Sequence, residues 1–169
     1  MERARLNFAR EWATLGHEST NVVVAIDFTK SNTQNDQDLH KTAAGTPPGP
    51  TEYEVALQHI ARTVCKLDDD TRFPAYGFGD STTRTACLFS LQPGDEPCVG
   101  LTGVCEAYAR VKPHVALSGG TSFAPAIYRA CELCAQEGMN MHVLVVLTDG
   151  VVDAAKRQET ADAIAFAKA

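Results

Sequence analysis

The amino-acid sequence predicts an α/β fold: a mostly parallel sheet with helices on both faces. Three observations carry this. Two apolar, β-branched runs, "NVVVAIDF" (21–28) and "MHVLVVLTDG" (141–150), suit strands buried on both faces, as parallel sheets require. Segments with helical and strand-like character alternate in the order strand, helix, hairpin, helix, helix, strand, helix. Both apolar runs end on an aspartate, Asp27 and Asp149. In open α/β sheets the ligand site lies at the carboxyl ends of the strands, which is where these acids fall.

The elements follow from local signals. A helix is predicted over residues 2–16, with Leu6, Phe8, Ala9, Trp12 and Leu15 as a rough apolar stripe. After the first strand, residues 32–50 are polar and rich in Gly and Pro, and predict a long loop of the kind that often carries function. A capping box, Thr51-x-x-Glu54, then opens a helix whose Tyr53, Leu57, Ile60, Val64 and Leu67 recur at helical spacing. "RFPAYGFGD" reads as a short strand and "TACLFSL" as its hairpin partner across "DSTTR". "LTGVCEAYARV" predicts a short helix. "SGGTSFAPAIYRACELCAQEG" predicts a glycine turn and a helix, with Pro125 in the tolerated first turn and Gly138 as the stop. The second apolar strand follows, and then a helix over 153–168.

With 169 residues the chain predicts one domain, large enough to bury a core without disulfide staples. A net charge of -6 and the lack of a Lys/Arg cluster argue against nucleic acid and against electrostatic adhesion to anionic lipid. The first residues are charged and have no apolar signal-peptide core. The six cysteines, Cys65, Cys87, Cys98, Cys105, Cys131 and Cys134, are expected to pack as small hydrophobes in a reduced, intracellular and cytoplasmic setting. Cys131-x-x-Cys134 lies on a helix and lacks the second pair that a zinc site needs.

The strand ends carry the chemistry. In an extended segment Asp27, Thr29 and Ser31 can point the same way. Asp149 arrives from the other strand and Thr121 from the "SGGTS" turn. The set contains only oxygen donors. Hard oxygen ligands select Mg²⁺, Mn²⁺ or Ca²⁺, and two acids with three hydroxyls suit the way Mg²⁺ is held. With few anionic ligands the ion stays electron-poor, so a partner's carboxylate can take an open position.

These residues resemble the metal-ion-dependent adhesion site of von Willebrand factor A domains, whose motif is D-x-S-x-S, then Thr, then Asp. Here "DFTKS", "GGTSFAP" and "LTDG" carry it, with Thr29 in place of the first Ser. The resemblance implies a Rossmann-like von Willebrand factor A fold. It also implies direct metal contacts from Thr29, Ser31 and Thr121, with Asp27 and Asp149 often acting through water. "AIDFTKSN", "YEVAL", "FPAYGFGD", "CEAYARVKPHVALSGGTSFAPAI" and "VLVVLTDGVV" are similar to the copine type of this domain, found in copines and in plant copine-like RING ubiquitin ligases. "TLGHESTNVVVAIDFTKSN" and "GFGDST" lean toward the ligases, and "LTDGVV" toward copines. Gly120 stands where these families commonly have Pro, and is expected to loosen the turn that presents Thr121.

The resemblance implies a single copine-type domain over 1–169 that binds metal and captures a carboxylate on a protein partner, without a catalytic site in this segment. One alternative is the substrate-recruiting domain of a RING-type ubiquitin ligase; another is a structural module with a vacant site. Copines bind phospholipid in a calcium-dependent way through C2 domains, so membrane association is expected only through other parts of the parent protein. Family members continue past the helix that ends here, so the sheet is expected to lack its far half. Strand 141–148 then becomes an edge that the natural chain's continuation, or another chain, would cover. A subtilisin-like reading, with Ser122 as nucleophile, Asp27 as orienter and His40 between them, fails because "DLHKTA" is a polar loop without that family's glycine-rich context. The lone G-x-G of "GFGDST" is a weak nucleotide signal, and His59, His114 and His142 read as packed or surface residues.

Overall fold

The computed structural model describes residues 20–33, 38–45, 47–64, 68, 70–137 and 141–168, with the backbone alone for 61–64. The helix predicted over 2–16 lies outside these residues, as do Cys65, Leu67 and Gly138. Six strands and four helices are described: β1 (Thr20–Asp27), α1 (Glu52–Val64), β2 (Arg72–Phe73), β3 (Ala75–Phe78), β4 (Leu88–Ser90), β5 (Cys98–Val99), α2 (Gly100–Val111), α3 (Ala124–Gln136), β6 (Met141–Leu147) and α4 (Arg157–Phe166).

The main sheet has the order β4-β3-β1-β6. β1 runs parallel to β3, from Val24 opposite Ala75 to Asp27 opposite Phe78, and parallel to β6, from Thr20 opposite Met141 to Ile26 opposite Leu147. β4 returns antiparallel to β3, as the hairpin pattern predicts. The alternation of β1 side chains sorts the core into two layers. Val22, Val24 and Ile26 pack with Tyr53 and Leu57 of α1 and with Leu101, Val104 and Tyr108 of α2. Val23 and Ala25 face the other way, toward Leu133 and Ala126 of α3. Helices therefore cover both faces. The capping box forms as its spacing predicts: the Thr51 N–H donates to Glu54 Oε2 at 2.7 Å, and the Glu54 N–H donates to Thr51 Oγ1 at 3.1 Å.

Four readings change. "RFPAYGFGD" is two strands, because Pro74 interrupts it; β2 leaves the main sheet and pairs with β5. The helix predicted over 153–168 opens with a 3₁₀ turn at Ala154–Lys156 before α4. β6 is half-buried from Met141 to Val146, and only Leu147 is buried. It is an edge: β1 lies on one side, and among the described residues no strand pairs with the other.

The fourth change concerns the loop after residue 32, which is partly built into the core. Leu39 packs against the core, and its N–H donates to the Asn32 carbonyl at 3.1 Å. His40 stacks between Phe28 and Tyr53, with ring centroids 4.6 and 4.7 Å away, and its Nδ1 lies 2.7 Å from Tyr108 Oη.

Two predictions arise here. An apolar edge that is unpaired among the described residues, with Val151, Ile164 and Phe166 exposed, favours self-association. Residues 1–169 are expected to be oligomeric or poorly soluble in analytical ultracentrifugation, and a monodisperse monomer would refute this. The second concerns His40. Burial lowers its pKa from 6.5 to about 4, outweighing the pull of the Asp27 main chain and of Asp38. Between these values the unfolded chain binds more protons than the folded one, so stability falls as pH drops from about 6.5 to about 4. The urea midpoint should fall over that window, and His40→Phe should flatten the drop.

Candidate functional site

The site is assembled where β1, β3 and β6 end together. The Phe28 N–H continues the ladder to the Phe78 carbonyl at 2.8 Å, and Thr29 forms a parallel bridge with Ser118. The chain then coils into a 3₁₀ turn, Lys30–Thr33. Ser31 is therefore not on an extended segment, as the alternation argument supposed. The turn nevertheless brings its Oγ to 2.8 Å from Thr29 Oγ1, and Ser31 Oγ donates to Asp149 Oδ1 at 2.9 Å.

Asp27 lies beneath them and is fully buried. Its Oδ1 accepts from the Thr29 N–H at 2.7 Å, and its Oδ2 from Thr148 Oγ1 at 2.6 Å. Desolvation raises its pKa, against the lowering effect of the Thr148 and Thr29 hydrogen bonds; the Asp149 charge adds to the rise. Among the described residues no Lys or Arg forms an ion pair with Asp27 or Asp149.

Thr121 is buried in the turn before α3 and lines the same cleft of about 530 Å³ as Thr29, Ser31, Asp149 and Asp153. Two glycine turns make this possible. Gly79 has φ +83°, and a Cβ there would overlap the Thr29 methyl, so only glycine lets the "GFGD" turn press against the site. Gly119, at φ +65°, packs its turn on the Gly79 carbonyl. Asp80 closes the first turn by accepting from the Thr82 and Thr83 N–H groups at 3.0 and 2.9 Å, which is a structural use of "GFGDST".

All five residues singled out from the sequence therefore meet at one end of the sheet. Thr29, Ser31 and Asp149 are linked directly, Asp27 supports Thr29 from below, and Thr121 faces the cleft. Two supporting residues were missed. Thr148 holds Asp27; its hydroxyl directly before Asp149 at a strand end was the available signal. Asn32 is fully buried, donates to the Thr29 carbonyl at 3.0 Å and accepts from Tyr53 Oη. Nothing around Asn32 in sequence marks it as buried. The subtilisin-like arrangement is not formed: His40 Nδ1 pairs with Tyr108, and Ser122 Oγ reaches Glu159 Oε1 at 3.4 Å.

The donor set fits a hard divalent cation. Four hydroxyls (Thr29, Ser31, Thr33 and Thr121) and two carboxylates (Asp149 and Asp153) line a solvent-open cleft, and a buried carboxylate beneath it, Asp27, lacks a cationic partner among the described residues. A cation here would offset the desolvation that raises Asp27.

An α/β domain with an oxygen-lined cleft at its strand ends is the class that the fold and site define. The family model described as Copine matches residues 39–169, and the chain belongs to the copine family. It is 43% identical to the E3 ubiquitin-protein ligase RGLG3 of Arabidopsis thaliana, over 81% of this chain and 38% of that protein. It is 41% identical to RGLG2 of the same plant, over 83% of this chain and 30% of the relative. Copine family protein 1 of Caenorhabditis elegans is 36% identical, over 81% of this chain and 13% of its own length. The chain thus spans well under half of these relatives.

Proposed function

We propose that this domain is a protein-interaction module with a metal-ion-dependent adhesion site of the von Willebrand factor A type. Asp27, Thr29, Ser31, Thr121 and Asp149 would hold Mg²⁺, with Mn²⁺ or Ca²⁺ as alternatives. The bound ion would supply an open, positively charged position for a carboxylate of a protein partner. The chain's own residues do the rest. Asp27 orients Thr29 through the Thr29 N–H, Thr148 fixes the Asp27 carboxylate, and Ser31 links the first loop to Asp149. The observation that carries this reading is the contiguous Thr29–Ser31–Asp149 oxygen set above a buried Asp27 that has no Lys or Arg ion pair among the described residues. Membership of the copine family supports a role in protein interaction.

The test is isothermal titration of Mg²⁺, Mn²⁺ and Ca²⁺ into the protein, with Ser31→Ala as control. Binding in the wild type that is lost in Ser31→Ala is expected. The absence of heat with all three ions would leave a structural module with a vacant site. A second reading is favoured by the ligases among the relatives: the domain recruits substrate for a RING-type ubiquitin ligase, with catalysis outside these residues.

A further inference from the structure

Asp153 follows the strand that delivers Asp149, and the site as proposed does not use it. Its N–H donates to the carbonyl of Thr121 at 3.0 Å, and its carbonyl accepts from the Lys156 N–H at 2.8 Å. The backbone is therefore pinned on both sides, directly to a residue of the cleft. The carboxylate lies over Gly120, where a Cβ would overlap it. Gly120 leaves room for an acid that lines the same cleft as Thr29, Ser31, Thr121 and Asp149.

We propose that Asp153 is a specificity-determining residue of this cleft: it strengthens capture of the divalent cation and weakens capture of an incoming carboxylate. This rests on the metal-binding reading above. Among the described residues no three acidic, His or Cys side chains converge into a cage, so Asp153 acts through the field rather than as a third carboxylate ligand. The charge count gives the direction. With a cation bound, the buried Asp27 beneath the cleft and Asp149 and Asp153 in its lining carry three negative charges, Lys30 at the rim one positive charge, and a divalent ion two. The loaded cleft is then neutral, whereas without Asp153 it is positive and attracts an anion. Gly120 sets this balance, because any side chain there turns the exposed Asp153 carboxylate away.

The experiment titrates Mg²⁺ alone into wild type, Asp153→Asn, Gly120→Ala and the double variant. It also measures relaxation of ¹³C-acetate by the Mn²⁺-loaded proteins as the carboxylate probe. Asp153→Asn is expected to weaken Mg²⁺ binding by about threefold to tenfold and to increase the acetate relaxation. The difference should shrink in high salt, as a through-space effect must. Gly120→Ala should reproduce both changes, and the double variant should add nothing to either. Wild-type Mg²⁺ affinity in Asp153→Asn would overturn this inference while leaving the metal site standing. If the wild type binds no metal, the metal site and the inference fall together. Should Gly120→Ala not fold, Asp153→Asn still decides.

Discussion

Asp27→Asn is expected to abolish metal-dependent stabilisation while leaving the metal-free protein at least as stable as the wild type. The two effects have one cause. Asp27 is fully buried, and desolvation pushes its carboxyl above the usual range despite the hydrogen bonds from Thr148 and Thr29. An ionised group in that position costs stability until a cation arrives. Asparagine has the same shape. Its carbonyl can keep the Thr29 N–H, and its amide can donate to Thr148 Oγ1, because a hydroxyl serves as donor or acceptor. The wild type in excess Mg²⁺ should gain about 2.7 kcal/mol at a hundredfold excess over Kd. For a domain of this size that is on the order of 5–10 °C in Tm. The variant should gain nothing. Differential scanning calorimetry of both proteins with EDTA and with Mg²⁺ decides the matter. A variant that still responds to metal would show that the ion binds elsewhere. A variant strongly destabilised in EDTA would show that the buried charge stabilises the apo fold.

The parts legible in the sequence were those set by period and by chain punctuation. β1 could be read because "VVVAI" has no polar residue, and its neighbours on both sides remove it from water. The capping box could be read because its two hydrogen bonds depend on a fixed spacing of three. The candidate cluster could be picked out because Asp27, Thr29 and Asp149 fall at or just past strand ends, Thr121 in a glycine turn and Ser31 in the turn that follows β1, and the parallel topology brings those ends together.

What could not be read depends on contacts distant in sequence. Pro74 splits a strand because β2 finds β5, some 25 residues on. His40 looks like a polar loop residue, yet Phe28, Tyr53 and Tyr108 come from three separate elements to enclose it. Nothing around Gly120 in sequence shows that Asp153, 33 positions later, occupies the space over it. The 3₁₀ turn at Lys30–Thr33 alters how Ser31 reaches its neighbours without altering which neighbours it reaches.

Phe28→Ala is expected to be the most destabilising single substitution near the site, and to act on the site as well as the core. The ring is almost wholly buried. It stacks on His40 at 4.6 Å and tilts against Phe89 at 5.4 Å and Tyr108 at 6.0 Å. Removing a buried phenylalanine side chain costs about 3–5 kcal/mol, because the cavity adds to the lost transfer energy. Domains are held by only about 5–15 kcal/mol, so the loss is a large share of the total. The main chain of Phe28 accepts from the Ser118 N–H at 3.4 Å and donates to Phe78. It therefore ties together the strand end that carries Asp27 and the turn that leads to Thr121. If the ring's packing sets that strand end, Phe28→Ala should also weaken Mg²⁺ binding at temperatures where the variant is still folded. Phe28→Leu, which refills most of the volume, should restore much of both. Urea denaturation and Mg²⁺ titration on the three proteins test this. Metal affinity unchanged in folded Phe28→Ala would mean that the backbone ladder positions the site without help from the ring.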